Sequence, residues 1–368
     1  DACGDGCAAT FRELSSVVIQ PLKRHLTYNQ IKYMGVFHFL NVLEGDCSII
    51  EHPSGHTTVI DVFNAMAPTE TEDEDRLAQI FRIMETAEAR TTTSGNFNQK
   101  EQPVNPVEYL RGRGVSSVFR FILTHPDMDH MGGIEYFFET FSPTNFWDTR
   151  NKKVCEFEPG SPYSEEDWEF YKNLRNGNVS GTKRLELLSG ASGKYYNQNE
   201  NGEGGGDGLY ILAPTQELID EAIESDDYND SSYAVLYRSH GGRILISGDS
   251  HDKTWEHILE NHEQDVANVD LLLAPHHGRD SGRSYDFLDT VNPKLTLFGN
   301  AFSEHLAYDA WWNKDLQIVT NNQAGCMIVY GNSSPMRLFV TNEEYARTVN
   351  SDTFFSDEFG GWYCLDIE

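Results

Sequence analysis

Basic residues are scarce in this chain: 28 Lys and Arg stand against 58 Asp and Glu among 368 residues, a formal net charge of −30. That balance excludes sequence-independent duplex binding through a broad basic face. It leaves room for a local basic groove, or for a small anionic substrate drawn in by metal ions. Long apolar runs are also absent, and none approaches the ~18 residues of a membrane span, so no membrane partner is expected. The opening DACGDGCAAT has neither the charged segment nor the apolar stretch of a secretory signal, which points to the cytoplasm. The six cysteines (Cys3, Cys7, Cys47, Cys155, Cys326, Cys364) are too few and too scattered for a disulfide framework. Cys3 and Cys7 could pair or bind metal, but no second CxxxC unit completes a zinc site, and reduced, mostly buried thiols are the expectation.

What is present reads as globular, with 39% hydrophobic and 12% aromatic residues. Residues 1–30 read as an N-terminal extension, 31–350 as one domain and 351–368 as a tail. Strands are predicted at 34–43, 47–51 and 57–63, with Glu44-Gly45-Asp46 and Pro53-Ser54-Gly55 as the turns between them. Helices follow at 74–90 and 106–113, then an apolar strand at 118–123 and a helix at 134–141. Residues 151–208 are rich in Gly, Ser, Asn and Glu, with apolar anchors only around 168–174. So loop-rich an insertion predicts a partly mobile lid or rim. Beyond it, strands at 209–212, 232–238, 243–247, 269–274, 294–298, 326–330 and 337–340 interleave with helices at 253–260 and 283–291. This alternation predicts an α/β fold.

Four strand ends carry chemistry. The stretch LTHPDMDHMG puts His125, Asp127, Asp129 and His130 into six positions directly after an apolar strand. Two imidazoles and two carboxylates suit a divalent transition metal, or a pair of ions sharing the cluster. ILISGD delivers Asp249 after a glycine that allows a tight turn; taken singly, such a turn is ordinary. LLLAPHHG delivers His276 and His277. Neighbouring side chains on extended backbone point to opposite sides, so one histidine is expected to coordinate metal and the other to orient ligands or touch substrate. In PKLTLFGNAFSEH, Asn300 and His305 are placed to hold or protonate a substrate. Ligands gathered at one edge of an α/β sheet lie where such folds build active sites.

In that order the motifs resemble the metallo-β-lactamase fold superfamily, and within it the hydrolase domain of the competence-protein branch (ComEC/Rec2 type). The HPDxDH form of that branch matches residues 125–130, and its strand–GQGD–strand–LID opening looks like residues 37–61. Its GD and PHHG elements match Gly248-Asp249 and residues 275–278, and a later Gly…Asn…His element resembles Gly299, Asn300 and His305. The likeness spans about residues 34–340. It implies an αββα sandwich with a loop-rich insertion, and one or two divalent ions, zinc first, with manganese or magnesium as alternatives. His125 and Asp127 would hold one ion. Asp129, His130 and a histidine of PHHG, taken as His276, would hold the other. Asp249 would bridge them, and Asp61 would buttress the ligands from behind.

The chain departs from that pattern in places. Asn41 and Leu43-Glu44 replace the usual Asp and Gly-Gln, and Leu306 follows His305 where Pro is usual. No histidine marks the third ligand position of the first site. Asp148 is the nearest substitute, which would shift preference towards Mn²⁺ or Mg²⁺. The activity implied is metal-assisted hydrolysis, with Asp129 orienting the nucleophile and His305 or His277 protonating the leaving group. Phosphodiesters lead as substrates, whether nucleic acid or small molecules, because the branch is linked to DNA degradation during uptake. With no channel segment in the sequence, the chain would be a freestanding relative. Cyclic nucleotides, esters and lactones form the alternative, and a non-catalytic partner-binding module a more distant one. The only basic-aromatic groove on offer is Trp168, Tyr171, Lys172, Arg175, Lys183 and Arg184 of the insertion.

Overall fold

Short β-branched and aromatic segments, each closed by a turn, pair into two sheets. The chain is described here by a computed structural model covering residues 35–67, 97–197, 204–301 and 305–368. The expected extension at 1–30, the Cys3 and Cys7 thiols and the helix at 74–90 lie outside the described residues. One sheet contains β1 (Val36–Phe39), β2 (Ser48–Glu51), β3 (Thr57–Ile60), β4 (Arg120–Ile122), β5 (Asn145–Trp147) and β6 (Lys183–Leu185). The second contains β7 (Leu209–Ala213), β8 (Ala234–Arg238), β9 (Arg243–Ile246), β10 (Leu271–Leu273), β11 (Leu295–Phe298) and β12 (Ile318–Thr320). The chain then returns to the first with β13 (Met327–Tyr330), β14 (Met336–Val340), β15 (Phe355–Ser356) and β16 (Gly361–Ile367). The ten-stranded sheet runs β15-β16-β14-β13-β1-β2-β3-β4-β5-β6 and the six-stranded one β12-β11-β10-β9-β8-β7.

Side-chain alternation along these strands builds the layers. Ile122 of β4, with Phe37, Phe39 and Trp147, faces Ile244, Ile246, Leu271 and Leu297 of the other sheet. Phe121, one residue earlier, faces outward onto Phe137, Phe138 and Phe141 of the helix Ile134–Phe141 and onto Trp168 and Tyr171 of the helix Glu165–Arg175. On the far side Leu245 and Leu272 point out to Trp255 and Ile258 of the helix Asp252–Val266, and to Phe287 and Leu288. Helix, sheet, sheet and helix therefore stack as four layers around one inter-sheet core, the αββα sandwich.

Strands β3 to β6 run parallel, and so do β9 to β12. A run of parallel strands collects its carboxyl ends along one edge, which is why residues that follow β3, β4, β9, β10 and β11 can meet.

Two expectations need correction. Where described, the segment 151–208 is a layer of the fold rather than a lid. Its helix Glu165–Arg175 buries Trp168, Tyr171 and Leu174 in the outer core, and β6 extends the sheet beyond β5. Asp167 also accepts from the Gly133 and Glu135 N–H groups at 2.8 and 3.3 Å, capping the helix that follows the HPDMDH stretch. Residues 351–368 are not a tail, because β16 pairs along β14 and buries Cys364 and Ile367 between the sheets. The described cysteines Cys47, Cys155, Cys326 and Cys364 are all free, and all but Cys155 are buried. Among the described residues no helix is long and apolar enough to cross a membrane.

Candidate metal centre

β4 ends at Ile122, and the chain turns through Thr124 into the ligand stretch, which closes in a tight turn at Met128–His130. From the neighbouring β3, Asp61 holds this turn in place. Its carboxylate accepts the Thr124 N–H and hydroxyl, each at 2.7 Å, and faces His130 Nδ1 at 2.8 Å. With Nδ1–H donated to Asp61, the lone pair of His130 Nε2 is turned into the cluster, the usual role of a carboxylate behind a ligating histidine.

Asp249 follows β9 and occupies the centre. Its Oδ1 lies 3.3 Å from His130 Nε2, and its Oδ2 lies 3.7 Å from His125 Nε2 and 3.6 Å from both His276 Nε2 and His277 Nε2. His277 Nε2 also stands 3.4 Å from Asp129 Oδ2. Two ligand triplets result, His125–His130–Asp249 and Asp129–His130–His277, each with ligand atoms within 4.8 Å of one another. His125, His130, His277 and Asp249 are all buried. Yet His125 Nε2, His130 Nε2, His277 Nε2 and Asp249 Oδ1 have no hydrogen-bond partner. Buried polar atoms are rarely left so. Four of them converging, with imidazole and carboxylate chemistry, fit a divalent cation.

Electrostatics tie the cluster together. Burial works to lower the His130 imidazole, but Asp249, Asp61 and Asp129 raise it well above its ordinary value. Burial opposes the charged form of Asp249, while His277, His130 and His125 pull it well below the usual carboxylate range.

One carboxylate not among the site residues expected from the sequence stands behind the cluster. Asp46, in the turn between β1 and β2, places Oδ1 3.0 Å from His277 Nδ1, an ion-pair contact behind that ring. Nothing marked it except its place at the end of the turn likened to GQGD. Gly299 makes room for it, since a Cβ there would lie 2.5 Å from Asp46 Oδ1. Gly45 lets the same turn approach the Asp129 backbone, where a Cβ would sit 1.7 Å from the carbonyl oxygen. His276 and His277 both adopt left-handed backbone, with φ of 54° and 56°. Non-glycine residues held there store strain, a feature that gathers at functional sites.

Of the PHHG pair, His277 rather than the expected His276 stands in a ligand triplet. His276 faces Asp249, while its Nδ1 accepts from Arg283 Nη2 at 3.1 Å. Asp127 lies at the rim, its Oδ2 3.8 Å from His125 Nε2. Asp148 is not brought into the cluster. Its carboxylate pairs with Arg184 at 2.8 Å and accepts from the Tyr171 hydroxyl at 3.1 Å, and burial pushes it up to about 6 against the pull of Arg184. Asn300 spends its amide on the Leu40 and Gly45 carbonyls at 3.3 and 3.1 Å, stapling the β1–β2 loop rather than facing substrate with its donors. His305 is exposed, and its carbonyl accepts from Asp280 N–H, so its segment runs beside the chain leaving PHHG.

No family model matches the chain, and no curated protein does. Among solved structures it is similar to a metallo hydrolase from the archaeon Ignicoccus hospitalis, at 12% identity over 80% of this chain and 98% of that one, with a TM-score of 0.42. A metal-dependent hydrolase of the β-lactamase superfamily gives 12% identity over 78% and 95%, with a TM-score of 0.42. A diphosphatase of the PhnP family gives 11% over 77% and 94%, with a TM-score of 0.38.

Proposed function

We propose that the chain is a metal-dependent hydrolase of phosphodiesters, acting on small anionic substrates in preference to long nucleic acid. The observation that carries this reading is the convergence of three buried, unpartnered imidazole nitrogens, of His125, His130 and His277, on the buried carboxylate of Asp249. A divalent ion bound there supplies Lewis acidity and lowers the pKa of a coordinated water towards neutrality. The likeness of HPDMDH and PHHG to the competence-type branch supports a phosphorus centre over a carbonyl one.

The protein's own groups divide the remaining work. Asp129, His130, His277 and Asp249 would hold the ion, with Asp61 and Asp46 standing behind the two imidazoles. His276 accepts a hydrogen bond from Arg283 at Nδ1, and exposed His305 is the group to which we assign proton transfer to a leaving oxygen.

Two observations favour a small substrate. The net charge of −30 repels a polyanion. Four of the six residues of the expected basic-aromatic groove are also engaged within the fold, leaving only Lys172 and Lys183 at the surface. Trp168 and Tyr171 are buried, Arg184 pairs with Asp148 and Glu186, and Arg175 donates to Asn151 and Lys153. A panel of bis-p-nitrophenyl phosphate, cyclic nucleotides, lactones and single-stranded DNA, assayed with Zn²⁺ or Mn²⁺, tests the reading. Turnover of the phosphodiesters is expected. Lactone hydrolysis alone would replace the phosphorus reading, and efficient cleavage of long DNA would overturn the size preference.

A further inference from the structure

Asp127, at the rim of the cluster, already has a cation. Lys153 Nζ lies 2.5 Å from its Oδ1 and 5.5 Å from the centroid of the Tyr228 ring. The lysine is held there by design of the backbone around it. Its N–H donates to Asn151 Oδ1 at 3.2 Å, and its carbonyl accepts from Arg175 Nη1 at 2.9 Å. Asn151 is tied in turn to the Tyr171 hydroxyl at 2.7 Å and to Asp148 Oδ1 at 3.2 Å, and Asp148 is locked by Arg184. The segment 148–153 is thus tied down through Asp148 and Asn151, and what it presents towards the cluster is an ammonium group.

His130 belongs to both ligand triplets, so an ion held by Asp129, His130 and His277 leaves only His125, Asp127 and Asp249 of the described residues on this side. His125 Nε2 stands 3.8 Å from Asp127 Oδ2 and 3.7 Å from Asp249 Oδ2. A divalent ion between them would be short of ligands, would face a like charge on Lys153, and would share Asp127 with it. Lysine is a compact point charge that pairs well with phosphate oxygens. With its side chain 22% exposed, Lys153 can reach a bound anion.

We propose that Lys153 takes the place of a second metal ion. The chain binds one divalent ion, at Asp129, His130, His277 and Asp249, and the ammonium of Lys153 supplies the second positive charge beside it. The inference rests on the metal reading given under the proposed function, and metal stoichiometry separates the two. Protein stripped with chelator is dialysed against Zn²⁺ and, separately, Mn²⁺. Bound metal is then counted by mass spectrometry, with circular dichroism to show that each variant is folded. Wild type is expected to hold one ion per chain, and Asp127→Asn also one. Lys153→Met is expected to take up a second ion, which Lys153→Met with Asp127→Asn loses again. Lys153→Gln serves the same purpose if the methionine variant does not fold. Two ions in wild type would overturn the inference and leave the metal reading standing. No ion in wild type would overturn both. A folded Lys153→Met or Lys153→Gln protein that holds only one ion would overturn the role given to Lys153.

Discussion

The Asp61 carboxylate touches no proposed ion, yet it sets the direction of one that does. It accepts from the Thr124 N–H and hydroxyl and from His130 Nδ1. Asp61→Asn keeps the shape and the left-handed backbone but offers His130 a donor where it had an acceptor, turning the ring's own proton towards the cluster. A loss of about 10–100-fold in metal affinity is expected, read by competition against a chromophoric chelator. Affinity within twofold of wild type would show that the tautomer is set elsewhere. His52 belongs to the same scale but to stability. It is buried, bonded through Nε2 to Thr58 Oγ1 at 2.8 Å, and burial lowers its pKa from 6.5 to about 3. The unfolded chain therefore binds this proton below pH 6.5 and the folded one does not, so stability falls as the pH drops from 6.5 towards 3. Between pH 7 and 5 wild type should lose about 2 kcal/mol more than His52→Gln, measured by urea unfolding at both values. Equal losses would show that His52 takes no part. The ligand stretch was legible in the sequence because four ligand types crowded into six positions after an apolar strand have few other uses. Which of His276 and His277 faces Asp129, and that Lys153 pairs with Asp127, were not. Those facts depend on left-handed backbone at PHHG and on a scaffold built from residues far apart in the chain.

At the scale of elements, the helix Glu165–Arg175 decides what the loop-rich segment is. Its Trp168 and Tyr171 pack under the sheet, and its Asp167 caps the helix that follows the ligand stretch. Trp168→Ala should therefore cost about 3–5 kcal/mol, seen as a fall in the denaturation midpoint. A lid would tolerate the change with nearly unaltered stability. The surrounding composition hid this helix, because Gly- and Asn-rich flanks outweigh the few apolar residues that anchor it. The helix Ile134–Phe141, with Ile134, Phe137, Phe138 and Phe141 on one face, was legible at its observed bounds. Strand β16 escaped notice because its buried residues, Cys364 and Ile367, do not alternate cleanly, and the pairing with β14 shifts register between Leu338 and Phe339.

For the whole molecule, the interleaving of apolar strands and helices was enough to place the fold class, and parallel strands explain why distant motifs share an edge. An ion bound only by the folded chain should stabilise it by about 2.7 kcal/mol at a hundredfold excess over Kd. The thermal midpoint should rise with added Zn²⁺ or Mn²⁺ in wild type and stay fixed in His130→Ala; a midpoint that ignores metal in wild type would deny that the cluster binds an ion. Hydrolysis of bis-p-nitrophenyl phosphate, followed while metal is titrated into chelator-stripped protein, tests the central claim most directly. Turnover should be absent without metal, rise to saturation with it, and be missing from Asp249→Ala at every metal concentration. Metal-independent turnover, or full turnover in Asp249→Ala, would contradict a catalytic centre built around Asp249.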